Sequence, residues 1–134
     1  MARVQAAPVS GYLVDTSAVI AGEWPSTGDL EISVITLGEL RTGIFTAADP
    51  VTRAQRNRQF AGTLKTFLAH DVDSRVAERF GEIQALARLE GRVKNNADLL
   101  IIATAAEHAL TLFTRDEKQG KLAEDLGLLV EYAS

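Results

Sequence analysis

The chain has 134 residues and no cysteine, which suits a single domain and excludes disulfides, zinc–thiolate centres, iron–sulfur clusters and a cysteine nucleophile. A hydrophobic share of 46% with 24% charged residues is that of a globular protein able to bury a sizeable core. The net charge of −4 argues against a broad basic surface for nucleic acid, and no apolar run approaches the roughly 18 residues of a membrane span.

Residues 1–10 are rich in small residues, lack the continuous apolar stretch of a signal peptide, and read as a flexible extension. The expected location is therefore cytoplasmic, and residues 11–134 read as one domain with no linker or repeat. Gly11–Val14 is a short apolar run expected to form a buried strand, after which Asp15 or Thr16 caps a short helix to about Ala21. Trp24-Pro25-Ser26-Thr27-Gly28 is turn chemistry. Residues 30–34 suggest a second strand, and Thr36 is expected to cap a helix to about Ala48. On that helix Leu37, Leu40 and Ile44 form an apolar stripe with Glu39 at its edge. Asp49-Pro50 opens a helix to about Leu68, whose Arg53, Arg56 and Arg58 read as a solvated face, with RNA contact the minority alternative. Residues 70–72 suggest a short strand. Asp73 then caps a helix with Val76, Phe80, Ile83 and Ala87 at helical spacing, ended by Gly91. Residues 97–109 are apolar nearly all round and predict a buried helix, capped by Asn95 or Asn96. Thr111–Thr114 and residues 128–132 read as strands flanking a helix over 117–125. Alternating strands and helices predict an α/β fold of three layers, with a central, mostly parallel sheet flanked by helices. In such folds sites form beyond the carboxyl ends of the strands.

Four acids stand beside strongly apolar sequence: Asp15 after Tyr12-Leu13-Val14, Glu39 on its helix, Asp98 before Leu99-Leu100-Ile101-Ile102, and Asp116 after Leu112-Phe113-Thr114-Arg115. Each has an ordinary reading: Asp15 and Asp116 as helix caps, Asp98 as a first-turn acid favoured by the helix dipole, Glu39 as a surface residue. Together they suggest a shared site, because clustered carboxylates are offset most simply by a hard divalent cation. Without these four charges the chain is formally neutral. A hard cation activates water for attack and shields charge on phosphoryl oxygens, so metal-dependent phosphodiester hydrolysis is the leading chemistry. His70 and His108 have no metal-ligand spacing. The chain also lacks a Gly-rich phosphate loop and a G-x-S-x-G elbow, and Ser17 has no evident catalytic partners.

Leu13-Val14-Asp15-Thr16-Ser17-Ala18, Thr36-Leu37-Gly38-Glu39-Leu40-Arg41-Thr42-Gly43, residues 97–105 and Leu112-Phe113-Thr114-Arg115-Asp116 resemble, in order and spacing, the motifs of PIN-domain ribonucleases. Within that family the chain is most similar to the VapC toxins of VapBC toxin–antitoxin pairs. The resemblance covers about residues 11–132. It implies an acidic pocket of Asp15, Glu39, Asp98 and Asp116, with Thr16, Ser17 and Thr114 as supporting hydroxyls. It also implies Mg²⁺, with Mn²⁺ as a substitute, endoribonuclease activity, a homodimer and a VapB-like antitoxin. Transfer RNA is one compatible substrate; ribosomal and messenger RNA are others. Because Mg²⁺ takes only one or two direct carboxylates, Asp15 with Asp98 or Asp116 is expected to ligate directly and Glu39 partly through water. The sequence departs from many relatives at Glu117-Lys118-Gln119-Gly120, which leaves open whether Glu117 or Gln119 contributes. The alternative function is an inactive PIN-fold module that binds RNA or protein.

Overall fold

The computed structural model describes residues 11–92 and 94–134, so the expected N-terminal extension lies outside the described residues. Gly11–Val14 forms β1, and its alternating side chains decide the layering: Leu13 enters one core cluster and Val14 the other. β4 (Thr111–Thr114) lies beside it with all four residues buried, and Leu112 and Phe113 divide between the same two clusters. Buried on both faces, these strands are apolar runs without alternation, as expected of a parallel sheet covered by helices.

Five strands complete the sheet: β2 (Asp29–Ser33), β3 (Leu68–His70) and β5 (Val130–Tyr132) join β1 and β4 in the order β3-β2-β1-β4-β5. Every pairing is parallel. Helix α1 (Thr16–Ala21), with Leu40 of α2 (Val34–Phe45) and Phe60 of α3 (Pro50–Thr66), covers one face. Val76 and Ile83 of α4 (Ser74–Leu89), the apolar residues of α5 (Asn96–Glu107) and Leu122 and Ala123 of α6 (Glu117–Asp125) cover the other. The three-layer α/β expectation holds, and the sheet is wholly parallel. Each fully buried Leu, Ile or Val stabilises the fold by about 1.5–3 kcal/mol relative to exposure. No helix among the described residues is long and apolar enough to cross a membrane.

Local chemistry explains most boundaries. Asp49, Asp73 and Asn95 cap α3, α4 and α5 by accepting from Thr52 N, Val76 N and Asp98 N. Several boundaries differ from expectation: β5 begins at Val130 rather than at residue 128, α2 ends at Phe45 rather than near Ala48, and two others have a clear cause. Ser33, not Thr36, caps α2, accepting from Ile35 N at 3.0 Å. Strand therefore passes into helix without a loop, and Thr36 is buried in the first turn. β3 begins at Leu68, two residues before the expected position, because Phe67 leaves α3 in an extended conformation and anchors in the core.

The sequence of turns places the site. From β1 the chain winds outward through β2 to β3, then returns through α4 and α5 to the other side of β1 for β4 and β5. The order reverses between β1 and β4, and ligands of open parallel sheets bind outside the carboxyl ends of the strands at such a point. Asp15 follows the last residue of β1, and Asp116 lies two residues beyond β4.

Candidate functional site

Asp15 is 4% exposed, and its carboxylate is held on several sides. Oδ1 accepts from Thr16 N at 2.8 Å, which makes Asp15 the cap of α1. Oδ2 accepts from Ser17 Oγ at 3.0 Å and from Thr114 Oγ1 at 2.7 Å. Thr114 Oγ1 also accepts from Asp116 N at 2.9 Å, so one hydroxyl ties the carboxylate after β1 to the backbone after β4. Asp116 Oδ1 in turn accepts from Lys118 N and Gln119 N and caps α6. Capping and site membership are therefore compatible for both residues: the cap hydrogen bonds fix the carboxylates at the sheet's carboxyl edge.

Glu39 reaches the same place from α2. Thr16 Oγ1 donates to Glu39 Oε1 at 2.6 Å and lies 2.9 Å from Thr36 Oγ1. A threonine hydroxyl carries a single proton, so with that proton on Glu39 the Thr36 hydroxyl must be the donor to Thr16. A buried relay, Thr36 to Thr16 to Glu39, thus holds the acid at the edge of the apolar stripe. Asp98 comes from the first turn of α5, half-buried, and among the described residues its carboxyl accepts no hydrogen bond.

The electrostatics link all four. Burial pushes the Asp15 carboxyl above its ordinary value against the opposing hydrogen bonds from Thr114, Ser17 and Thr16, and the Asp116 charge pushes it further. Asp98 is also raised, first by burial and then by the charge of Asp15. Lys94 opposes the shift, while Asp116 and Glu39 add to it. The charges of Asp15, Asp116 and Glu39 all act on Asp98, while Thr16 and Thr114 tie Asp15 to Glu39 and to Asp116. The structure thus brings Asp15, Glu39, Asp98 and Asp116 together, with Thr16, Ser17 and Thr114 bonded to Asp15, Glu39 or both.

Among the described residues no three His, Asp or Glu side chains are gathered tightly enough to wrap one ion by themselves. The donor set still suits a small hard cation, since Mg²⁺ keeps several waters and takes one or two direct carboxylates. A second observation also fits. Gln119 is fully buried; its Nε2 lies 3.5 Å from Asp15 Oδ1, and its Oε1 has no hydrogen-bond partner. An orphaned buried acceptor beside the acids calls for a donor, and a hydrated cation brings water that can donate.

Two residues were not assigned to the site from sequence. Thr36, expected as the cap of α2, lies three residues before Glu39 on the same helix face. Gln119 occupies the third helical position after the Asp116 cap, where a glutamine normally bonds back to the cap's own N–H. Thr114 already takes that N–H, so the Gln119 amide is left facing Asp15. Glu117 is exposed in the first turn of α6. The two histidines, far apart in sequence, stack with ring centroids 3.9 Å apart, and Glu31 bonds His70. Arg53, Arg56 and Arg58 form an exposed face, with Arg56 donating to Gly43 O.

A parallel sheet in this strand order with an acidic cluster at its reversal point defines a compact α/β domain of a known kind. The PIN domain family matches residues 12–125, and the chain belongs to that family. Within it the likeness is to the VapC proteins. Ribonuclease VapC5 of Mycobacterium tuberculosis (strain ATCC 25618 / H37Rv) is 33% identical over 120 residues, covering 82% of this chain and 85% of the relative. Toxin FitB of Neisseria gonorrhoeae (strain ATCC 700825 / FA 1090) is 30% identical over 91 residues, covering 66% of each. The crystal structure of VapBC-5, a member of the VapBC family of toxin–antitoxin systems from Mycobacterium tuberculosis, matches with a TM-score of 0.77 at 29% identity. That match covers 92% of this chain and 97% of the other.

Proposed function

We propose that this protein is a divalent-metal-dependent endoribonuclease and the toxin of a toxin–antitoxin pair. The observation that carries the proposal is the hydrogen-bond network that ties Asp15 to Glu39 through Thr16 and to Asp116 through Thr114, with Asp98 near enough that their charges act on its carboxyl. The relatives named ribonuclease and toxin support it.

In this reading Asp15, with Asp98 or Asp116, holds Mg²⁺ or Mn²⁺ directly and Glu39 acts through water. When bound, the cation supplies activated water and shields the phosphoryl oxygens. The rest falls to the protein. Thr114 and Ser17 fix Asp15 by donating to Oδ2, and Thr114 also sets the backbone of Asp116. The Thr36–Thr16 relay orients Glu39. Gln119 keeps a neutral amide beside Asp15, where a further carboxylate would add repulsion.

The same reading includes a homodimer and a VapB-like antitoxin. An Arg or Lys from the antitoxin would neutralise the acids by charge-assisted hydrogen bonds. The similar solved structure is of a toxin–antitoxin system, which supports that partner.

The test is incubation of the purified protein with cellular RNA in Mg²⁺ and in EDTA, with Asp15→Asn as control and the new RNA ends sequenced. Discrete cleavage that needs the metal and is lost in a folded Asp15→Asn is expected. Intact RNA under all conditions would favour the inactive binding module instead.

A further inference from the structure

An acidic cluster repels the phosphates it is meant to cleave, and a chain of net charge −4 has little positive surface with which to compensate. Four of the fourteen Lys and Arg residues nevertheless gather around one cavity. A cavity of about 370 Å³ lies between the connection from α4 to α5 and helix α6, lined by Arg92, Lys94, Glu117, Lys118, Lys121 and Leu122. Of its six described lining residues four are cationic and one is acidic.

The cations are not equivalent. Asp125 pairs with Arg92 and, at 3.2 Å, with Lys121; Glu90 also lies 3.4 Å from Arg92. These partners spend part of the charge within the protein. Among the described residues, Lys94 and Lys118 take part in no ion pair.

These two lysines are also the ones that join the cavity to the acids. Lys94 precedes Asn95, the cap of the helix that carries Asp98, and its charge acts on the Asp98 carboxyl. Lys118 is in the first turn of α6, and its own N–H donates to Asp116 Oδ1 at 2.9 Å. Two of the four acids therefore sit beside the cavity's walls: Asp98 in the first turn of the helix that follows the α4–α5 connection, and Asp116 as the cap of α6. The lining is mainly apolar, as expected where the aliphatic stems of long cationic side chains border a cavity.

We propose that this cavity is the track for the RNA strand next to the scissile bond, with Lys94 and Lys118 each contacting a flanking backbone phosphate. Resting on the ribonuclease reading, this adds the path by which a polyanion reaches an acidic site. The lysine stems give the adjacent nucleoside an apolar flank, and the excess of cations over the single Glu117 favours a densely charged polyanion over a sparsely charged acidic peptide.

The experiment measures binding of a fluorescein-labelled, randomised single-stranded RNA of roughly 12 nucleotides, a length within the reach of single-strand sites. Full-length Asp15→Asn protein serves as the non-cleaving parent across a salt series. Each phosphate contact on a single strand adds about 0.7 to the slope of log affinity against log salt, so Lys94→Ala with Lys118→Ala should lower that slope by about 1.4. Replacement of both by Arg should restore it, and Arg53→Ala with Arg58→Ala on α3 should leave it alone. In the cleaving protein the same lysine pair should raise KM.

A double-alanine protein that keeps the parental melting temperature, slope and KM would overturn the track, even if the wild type cleaves RNA. So would a polyglutamate peptide that binds in a lysine-dependent way while RNA does not. If RNA binds with the predicted slope change but the wild type never cleaves in Mg²⁺ or Mn²⁺, the track stands and the ribonuclease reading fails.

Discussion

Replacing Asp98 with Asn should stabilise the metal-free protein, against the general tendency of point substitutions to destabilise. Asp98 is half-buried, its carboxyl accepts no hydrogen bond among the described residues, and Asp15, Asp116 and Glu39 all disfavour its charge. Asparagine keeps the shape and removes that repulsion. Relief of unfavourable charge commonly yields about 0.5–2 kcal/mol. Against it stands the loss of the attraction to Lys94 and of the favourable position in the first turn of α5, which costs about 0.3–1 kcal/mol. At the middle of these ranges a net gain of about 0.6 kcal/mol remains. With 134 residues and an unfolding entropy of about 2.1 cal/mol/K per residue, that gain raises Tm by about 2 °C. The assay is thermal unfolding followed by circular dichroism at pH 7 in EDTA.

The pH dependence fixes the sign independently. A carboxyl whose pKa is higher folded than unfolded binds more protons in the native state, so its ionisation destabilises the fold as pH rises. For Asp98 that cost is absent below the ordinary value of 3.8 and is complete once pH exceeds the raised native value. The advantage of Asp98→Asn should therefore shrink as pH falls from 7 toward 4. Saturating Mg²⁺ should reverse the order by stabilising the wild type more. A lower Tm for the variant at pH 7 in EDTA, or a gain independent of pH, would refute the reasoning.

Three further outcomes follow from single contacts. Thr114→Val removes the donor to Asp15 and the acceptor of Asp116 N from a fully buried position, and should cost about 1.5–3 kcal/mol in urea unfolding, with Thr114→Ser largely restoring it. Gln119→Leu removes an orphaned buried acceptor, so it should leave the metal-free Tm unchanged or higher while reducing the Tm gain on adding Mn²⁺. A large Tm loss in EDTA would assign Gln119 a packing role instead. Asp49→Ala deletes the cap of α3 and should lower Tm in thermal unfolding with RNA cleavage unaffected.

How far these features could be read from residues alone depended on whether their causes were local. Asp49, Asp73 and Asn95 act as caps through hydrogen bonds to residues three positions on, so their helices could be placed from sequence. Leu13, Val14, Leu112 and Phe113 are apolar without alternation because they are covered on both faces, which marks a parallel sheet. The acids could be picked out because a carboxylate beside an apolar run is unusual at any single position. What was missed depends on contacts between distant segments. Thr36 and Ser33 are both good caps, and only the pairing of β2 with its neighbours decides between them. Whether Gln119 contributes stays open in the sequence, because only the bond from Asp116 N to Thr114, across the sheet's edge, leaves its amide facing Asp15. The stack of His70 on His108 joins β3 to the end of α5, a contact that no spacing along the chain encodes.

The most direct measurement is a calorimetric titration of the folded, metal-free protein with Mn²⁺, compared with Asp15→Asn, Asp98→Asn and Asp116→Asn. If the acids share an ion, the wild type binds saturably and each substitution weakens binding by about tenfold or more. Absence of saturable binding, or an affinity indifferent to all three substitutions, would contradict a common cation site.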